Sequence, residues 1–255
     1  IRAGLDVLAV GEIDTKRPVA ESFKTATYDA GETKEIDGLL AAQPGSQFNL
    51  SDDEIKRFEK LRGQFASGGC RNDPKCIAAV TTEYQAILTT RMEAYMHGGL
   101  ATVAPYSRGK GKLSSPGTEL KTSLDQAKVF AGLFPATFQS VQAYPAPSPD
   151  GEDHYYWIRM RIQDRPTFIL SHRRLFAGSG GVVSIERQFY VGQSYNSLQI
   201  LAGGVPDGAG TLVFYANRTF TDQVAGMGQS VRHGMGRKFM LDAIQANLDS
   251  LAKAR

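Results

Sequence analysis

Near residue 150 the hydrophobic pattern of this chain changes period, and that change limits the folds open to it more than any other feature. Upstream, Ile55, Phe58, Leu61 and Phe65 recur at helical spacing, and so do Ile77, Val80, Tyr84, Ile87, Leu88 and Tyr95. Both stripes follow the period near 3.6 of an amphipathic helix. Downstream of the Pro-rich residues 144–151, apolar and polar residues alternate with the period of 2 that marks half-buried strands. Strands are expected at about 154–163, 166–176, 181–191, 195–203 and 210–220. The connections between them are short and rich in Gly, Ser, Pro and Asp, which makes neighbours antiparallel. The expected fold is a single α+β domain. Residues 1–143 form its mainly helical part, and residues 152–255 form a five-stranded meander and a C-terminal helical segment packed on the sheet.

Local signals fix several helix ends. Ser51 and Glu54 form a capping box, in which each side chain satisfies a free backbone N–H at a helix start. His97-Gly98-Gly99 closes the long second helix. Ser115-Pro116 opens a third, with Pro where its missing N–H costs least, and Leu120, Leu124 and Ala127 form its buried stripe. Residues 1–48 carry no sustained period, and only Leu5–Val10 reads as a short strand. In 222–253, Val224, Met227, Val231 and Met235 share one helical face, while Met240, Ile244, Leu248 and Leu251 fall nearly opposite. A bend within 232–240, at Gly234 and Gly236, is expected.

Charged residues are 22% of the 255 and the net charge is +3, too mild to point to a nucleic-acid partner. The one basic cluster, Ser107–Lys112, lies in glycine-rich loop sequence. No apolar run reaches the ~20 residues of a membrane helix, so no transmembrane segment is expected. The chain starts at Ile1 without a leader, as a trimmed chain or a processed exported protein would. Cys70 and Cys76 lack the Cys-x-x-Cys spacing and have too few neighbouring ligands for zinc. A small disulfide is the expected state, with two free thiols the alternative.

Sorting the strands by alternation gives two faces. Phe168, Leu170, Val183, Ile185, Phe189, Leu198, Ile200, Leu212 and Phe214 fall on an apolar one. Thr167, Ser171, Arg173, Ser184, Glu186, Gln188, Tyr190, Tyr195, Ser197, Gln199, Tyr215 and Asn217 fall on the other, with Arg173 opposite Glu186. No Lys stands between Lys128 and Lys238. The polar face is built from neutral groups, which can be covered without the desolvation cost of an ion. It reads either as a ligand site or as a face whose side chains satisfy one another beneath the N-terminal segment. The candidate ligand-binding residues are Arg173, Glu186, Gln188, Tyr190, Tyr195, Ser197, Tyr215 and Asn217.

Chemical motifs do not close. His97, His154, His172 and His233 share no metal-binding spacing, and His172 alternates onto the apolar face beside Arg187 as a hydrogen-bonded core or edge histidine. Ser171 and His172 are adjacent on a strand and point apart, and no Gly-x-Ser-x-Gly elbow is present. Gly226-Met-Gly228 has Val231 at the third glycine position of a dinucleotide fingerprint, and Gly111-Lys112 has Tyr106 where a phosphate loop needs glycine. The glycosylation patterns at Asn49 and Asn217 are read as chance. No metal site, catalytic residue or cofactor is expected.

Residues 164–173 (DRPTFILSHR), 186–196 (ERQFYVGQSYN) and 210–224 (GTLVFYANRTFTDQV) resemble an uncharacterised family of exported bacterial proteins, over the chain from about Met96 onward. That resemblance implies a periplasmic or otherwise exported protein and carries no chemistry. A meander packed on a C-terminal helix is similar in architecture to helix-grip lipid-binding domains. The leading functional expectation is a soluble exported protein that binds a small or lipid-like molecule between the sheet and the helices. The alternatives are a hydrolase-type enzyme using Arg173, Glu186, Tyr190 or His172, and a structural or interaction module. Oligomeric state is not legible.

Overall fold

The computed structural model describes residues 7–29, 31–65, 70, 73–178, 180–222 and 245. The C-terminal helical segment expected over 222–253, its bend at 232–240 and His233 lie outside the described residues, apart from Asp222 and Gln245. What is described is an α+β fold. Its strands are β1 (Val7–Glu12), β2 (Tyr106–Ser107), β3 (Leu113–Ser114), β4 (Gly151–Ile162), β5 (Arg165–Gly178), β6 (Gly181–Val191), β7 (Ser197–Asp207) and β8 (Gly210–Phe220). Its helices are α1 (Val19–Ser22), α2 (Thr33–Leu40), α3 (Asp52–Arg62), α4 (Pro74–Gly98), α5 (Pro116–Asp125), α6 (Lys128–Leu133) and α7 (Pro135–Gln142).

Six strands make one antiparallel sheet in the order β1-β4-β5-β6-β7-β8, and β2 pairs β3 in a small hairpin. From β4 to β8 the order is the meander that the short turns demand. The sixth strand, β1, was only partly legible as Leu5–Val10. It pairs β4 from Val7↔Met160 to Glu12↔Tyr156, a contact across most of the chain. Gly11 is required there: a Cβ would come within 2.2 Å of the Trp157 ring, which lies over it and donates from Nε1 to the Ser22 carbonyl.

Among the described residues, the helices pack on one face of the sheet. The central element is α4, capped by the Asp73 side chain with Pro74 in its first turn. Tyr84, Ile87, Leu88, Met92 and Tyr95 of α4 are buried against Phe168, Leu170, Phe189 and Tyr190. Burial of each large side chain contributes about 1.5–3 kcal/mol. Tyr95 stacks on Phe189 with ring centroids 3.8 Å apart. The capping box at α3 forms as expected, with Ser51 Oγ accepting from the Glu54 N–H and Glu54 Oε2 accepting from the Ser51 N–H.

The helix opened by Ser115-Pro116 is shorter than its apolar stripe suggests. It ends at Asp125 and α6 follows as a separate element, while α7 is divided from α6 at Pro135, which lacks the N–H that a continuing helix needs. Their apolar residues form a second, smaller core of Leu124, Phe130 and Val141 against Phe176, Val183 and Ile185.

Cys70 and Cys76 are bonded, with Cα atoms 5.2 Å apart, and the Cys70 N–H donates to Asp37 Oδ1 at 2.6 Å, tying the loop to α2. Thiol titration of unreduced, denatured protein should therefore find no free thiol. Because the loop is short, selective reduction should cost roughly 2 kcal/mol in urea unfolding. Two titratable thiols in protein made under oxidising conditions would contradict the bond.

Candidate functional site

The sheet has two faces with different chemistry, and the residues expected to act together divide between them. On the face opposite the helices, Glu186 Oε2 accepts from Arg173 Nη2 at 2.9 Å, and Glu186 Oε1 accepts from Ser171 Oγ at 3.0 Å and Gln188 Nε2 at 3.2 Å. Tyr195 reaches this group from the β6–β7 connection and donates to Gln188 Oε1. The Arg173↔Glu186 register is the one alternation dictates. Tyr215 and Asn217 of β8 lie further along, separated from Glu186 by Ile200, and Asn217 Nδ2 meets Tyr215 Oη at 3.5 Å. These side chains spend their hydrogen bonds on one another.

Tyr190 and Ser197 do not join them. The β5–β6 register shifts between Leu170↔Tyr190 and Ser171↔Gln188, a bulge at Phe189. One extra residue reverses the alternation beyond it. Tyr190 is thereby turned into the helical core, where its hydroxyl meets that of Tyr84 at 3.1 Å. The run Phe189-Tyr190-Val191, three nonalternating residues, is the sequence signal of that bulge. β7 is also turned over relative to expectation. Ser197 donates to Glu119 Oε2 of α5 at 2.6 Å, and Gln199 pairs Arg187 and Arg218 on the helical face, while Leu198 and Ile200 face the other way. Burial raises the pKa of Glu119, with the Ser197 and Asn196 hydrogen bonds opposing it.

His172 sits beside Arg187 on the helical face, at the centre of a sealed polar chain. Tyr95 Oη lies 2.7 Å from His172 Nδ1, and His172 Nε2 lies 2.8 Å from Asp153 Oδ1. Arg174 clasps the same carboxylate with Nε at 2.6 Å and Nη2 at 2.7 Å, and also donates to the Ser140 carbonyl. Burial pushes His172 down to about 4 against the upward pull of Asp153. The ring is therefore neutral near pH 7, with its Nε2–H donating to Asp153 and Nδ1 accepting from Tyr95. Burial raises Tyr95 to about 12, and Arg187 opposes that rise. The Tyr144 ring covers the imidazole at 4.4 Å and the Tyr155 ring at 4.7 Å. A substrate cannot reach this imidazole without opening the core, and Arg173 and Glu186 lie on the other side of the sheet. The geometry does not assemble Arg173, Glu186, Tyr190 and His172 into one site.

A cleft of about 520 Å³ lies elsewhere, between α5–α6 and strands β7–β8. Phe130, Leu133 and Phe134 line one wall, and Leu201, Leu212 and Phe214 line the other. Phe134 and Phe214 stack at 5.6 Å. Gly203 makes this possible, since a Cβ there would come within 2.5 Å of the Phe214 ring and of the Val182 carbonyl oxygen. Of the eight residues expected to bind a ligand, only Asn217 borders this cleft. The others fall elsewhere because the cleft is lined by helices and strands distant in sequence, and β7 presents the face that alternation assigns to polar groups. Among the described residues there is no group of His, Cys, Asp or Glu fit to hold a metal ion, and no helix is long and apolar enough to cross a membrane. In comparisons with known proteins, no family model matched this chain, and no curated protein or solved structure resembled it.

Proposed function

We propose that this chain is an exported protein that binds a small apolar or lipid-like molecule in the cleft between α5–α6 and β7–β8. The observation that carries the reading is the cleft itself. Its volume lies within the ~300–1,000 Å³ range of small-molecule sites, and its walls are mostly apolar with few polar groups. Val129, Leu133 and Leu212 stand 75%, 68% and 57% exposed along it, the kind of contiguous apolar surface that marks a binding site. The Cys70–Cys76 disulfide supports an oxidising compartment and hence export.

Native mass spectrometry of protein purified without detergent, followed by solvent extraction, tests the proposal. The expected result is an adduct of an apolar compound that Ala216→Trp, which fills the cleft from β8, removes. A protein that carries no such compound and takes up no apolar probe would defeat it.

A further inference from the structure

The cleft is chemically polarised along its length, and we infer that its ligand is a single-chain amphiphile with a carboxylate head. This rests on the binding reading above and names the class of ligand. Along the β7–β8 register the helix-facing pairs run Gln199↔Arg218, Leu201↔Ala216, Gly203↔Phe214 and Val205↔Leu212. The first pair is polar, and the next three are apolar or open. At about 3.4 Å per residue the row from Gln199 to Val205 is roughly 20 Å long. One acyl chain spans about half of a ~30 Å bilayer core, so the row holds one such chain with its head at the polar end.

The head is read from the groups gathered at that end. Among the described residues, two cations, Lys128 and Arg218, line the cleft and no carboxylate does, so the charge favours an anion. One buried polar atom on the cleft lacks a partner, Gln199 Oε1. Gln199 is only 2% exposed, and such atoms are ordinarily paired. A carboxylate accepts from the Arg218 guanidinium, which also donates to Gln126 Oε1, and the water it retains donates to the Gln199 amide oxygen. A neutral alcohol answers only part of this set, and a quaternary ammonium head meets the two cations.

Displacement of the neutral dye Nile red from the full chain tests the inference, with dodecanoate, dodecanol and dodecyltrimethylammonium as competitors below their aggregation limits. Dodecanoate should displace the dye at about tenfold lower concentration than dodecanol, and the ammonium should be weakest. Arg218→Gln should erase most of that tenfold preference, with each competitor compared against this variant's own Nile red affinity. Arg218 is exposed, so this variant folds. Equal displacement by acid and alcohol, or an unchanged preference in Arg218→Gln, overturns the carboxylate head while the cleft stands. Failure of the wild-type chain to bind Nile red, or undiminished binding by Ala216→Trp, overturns the cleft and the head together.

Discussion

Replacing Arg91 with Ala should cost about 3–5 kcal/mol of stability, the range for removing one partner of a buried ion pair. Arg91 is 5% exposed and grips Glu54 with Nε at 2.7 Å and Nη2 at 2.6 Å, while Nη1 donates to the Ala104 carbonyl at 3.0 Å. Its guanidinium also lies 4.5 Å from the centroid of the Tyr190 ring. One side chain thus joins α3, α4, the segment before β2 and the bulged end of β6. Without it the Glu54 carboxylate stays buried, held only through the capping box by the Ser51 N–H. That residual bond does not replace two charge-assisted ones. Urea unfolding should give a lower midpoint at unchanged slope. Removing both charges, in Arg91→Met with Glu54→Gln, should cost less than the two single losses added together, because no buried charge is then stranded. A loss under about 1 kcal/mol in Arg91→Ala would mean the pair is as weak as an exposed one.

Arg91 also illustrates which parts of the fold a sequence of this kind discloses. Glu54 was readable as a cap, because a capping box is written in four consecutive residues. Its second role, as the partner of Arg91, depends on how two helices pack and leaves no local mark. The strands behave alike. β6 and β8 were legible at 181–191 and 210–220, since alternation and turn residues are local, and the same alternation placed Arg173 opposite Glu186. The register rule failed where one residue was inserted at Phe189, which sent Tyr190 to the core. It failed again in β7, where Leu198 and Ile200 look like a core stripe but Gln199 is taken up by the row of Arg187 and Arg218. The candidate residues were chosen by face, so they inherited both errors. The cleft escaped because Phe130 and Phe134 lie far in sequence from Phe214, and each reads singly as ordinary core.

Asp153→Asn should also cost about 3–5 kcal/mol at pH 7, and its pH dependence separates the two partners that share this carboxylate. The side chain of Arg174 is 2% exposed and relies on Asp153 for two of its bonds. An Asn offers one acceptor oxygen and turns an N–H₂ toward a donor, so the guanidinium keeps its charge and loses its counter-ion. In the wild type, burial alone would raise Asp153, but Arg174 and then His172 hold it well below the ordinary carboxylate range. A carboxyl lowered in the folded state stabilises above its unfolded pKa, so the gap between wild type and variant should narrow only in strong acid. His172 acts over a different window. Its folded pKa of about 4 lies below the unfolded 6.5, so the unfolded chain takes up the proton first. Stability should therefore fall as the pH drops from 6.5 to 4, by up to about 3 kcal/mol. Asp153→Asn should keep that slope, displaced downward, because its imidazole is neutral over the same range. His172→Gln should flatten it. Thermal unfolding of the three proteins between pH 7 and pH 4.5 measures all of these effects. A wild-type curve flat over that window would show that the imidazole opens to water and protonates in the folded chain, and the sealed chain from Tyr95 to Arg174 would then be wrong.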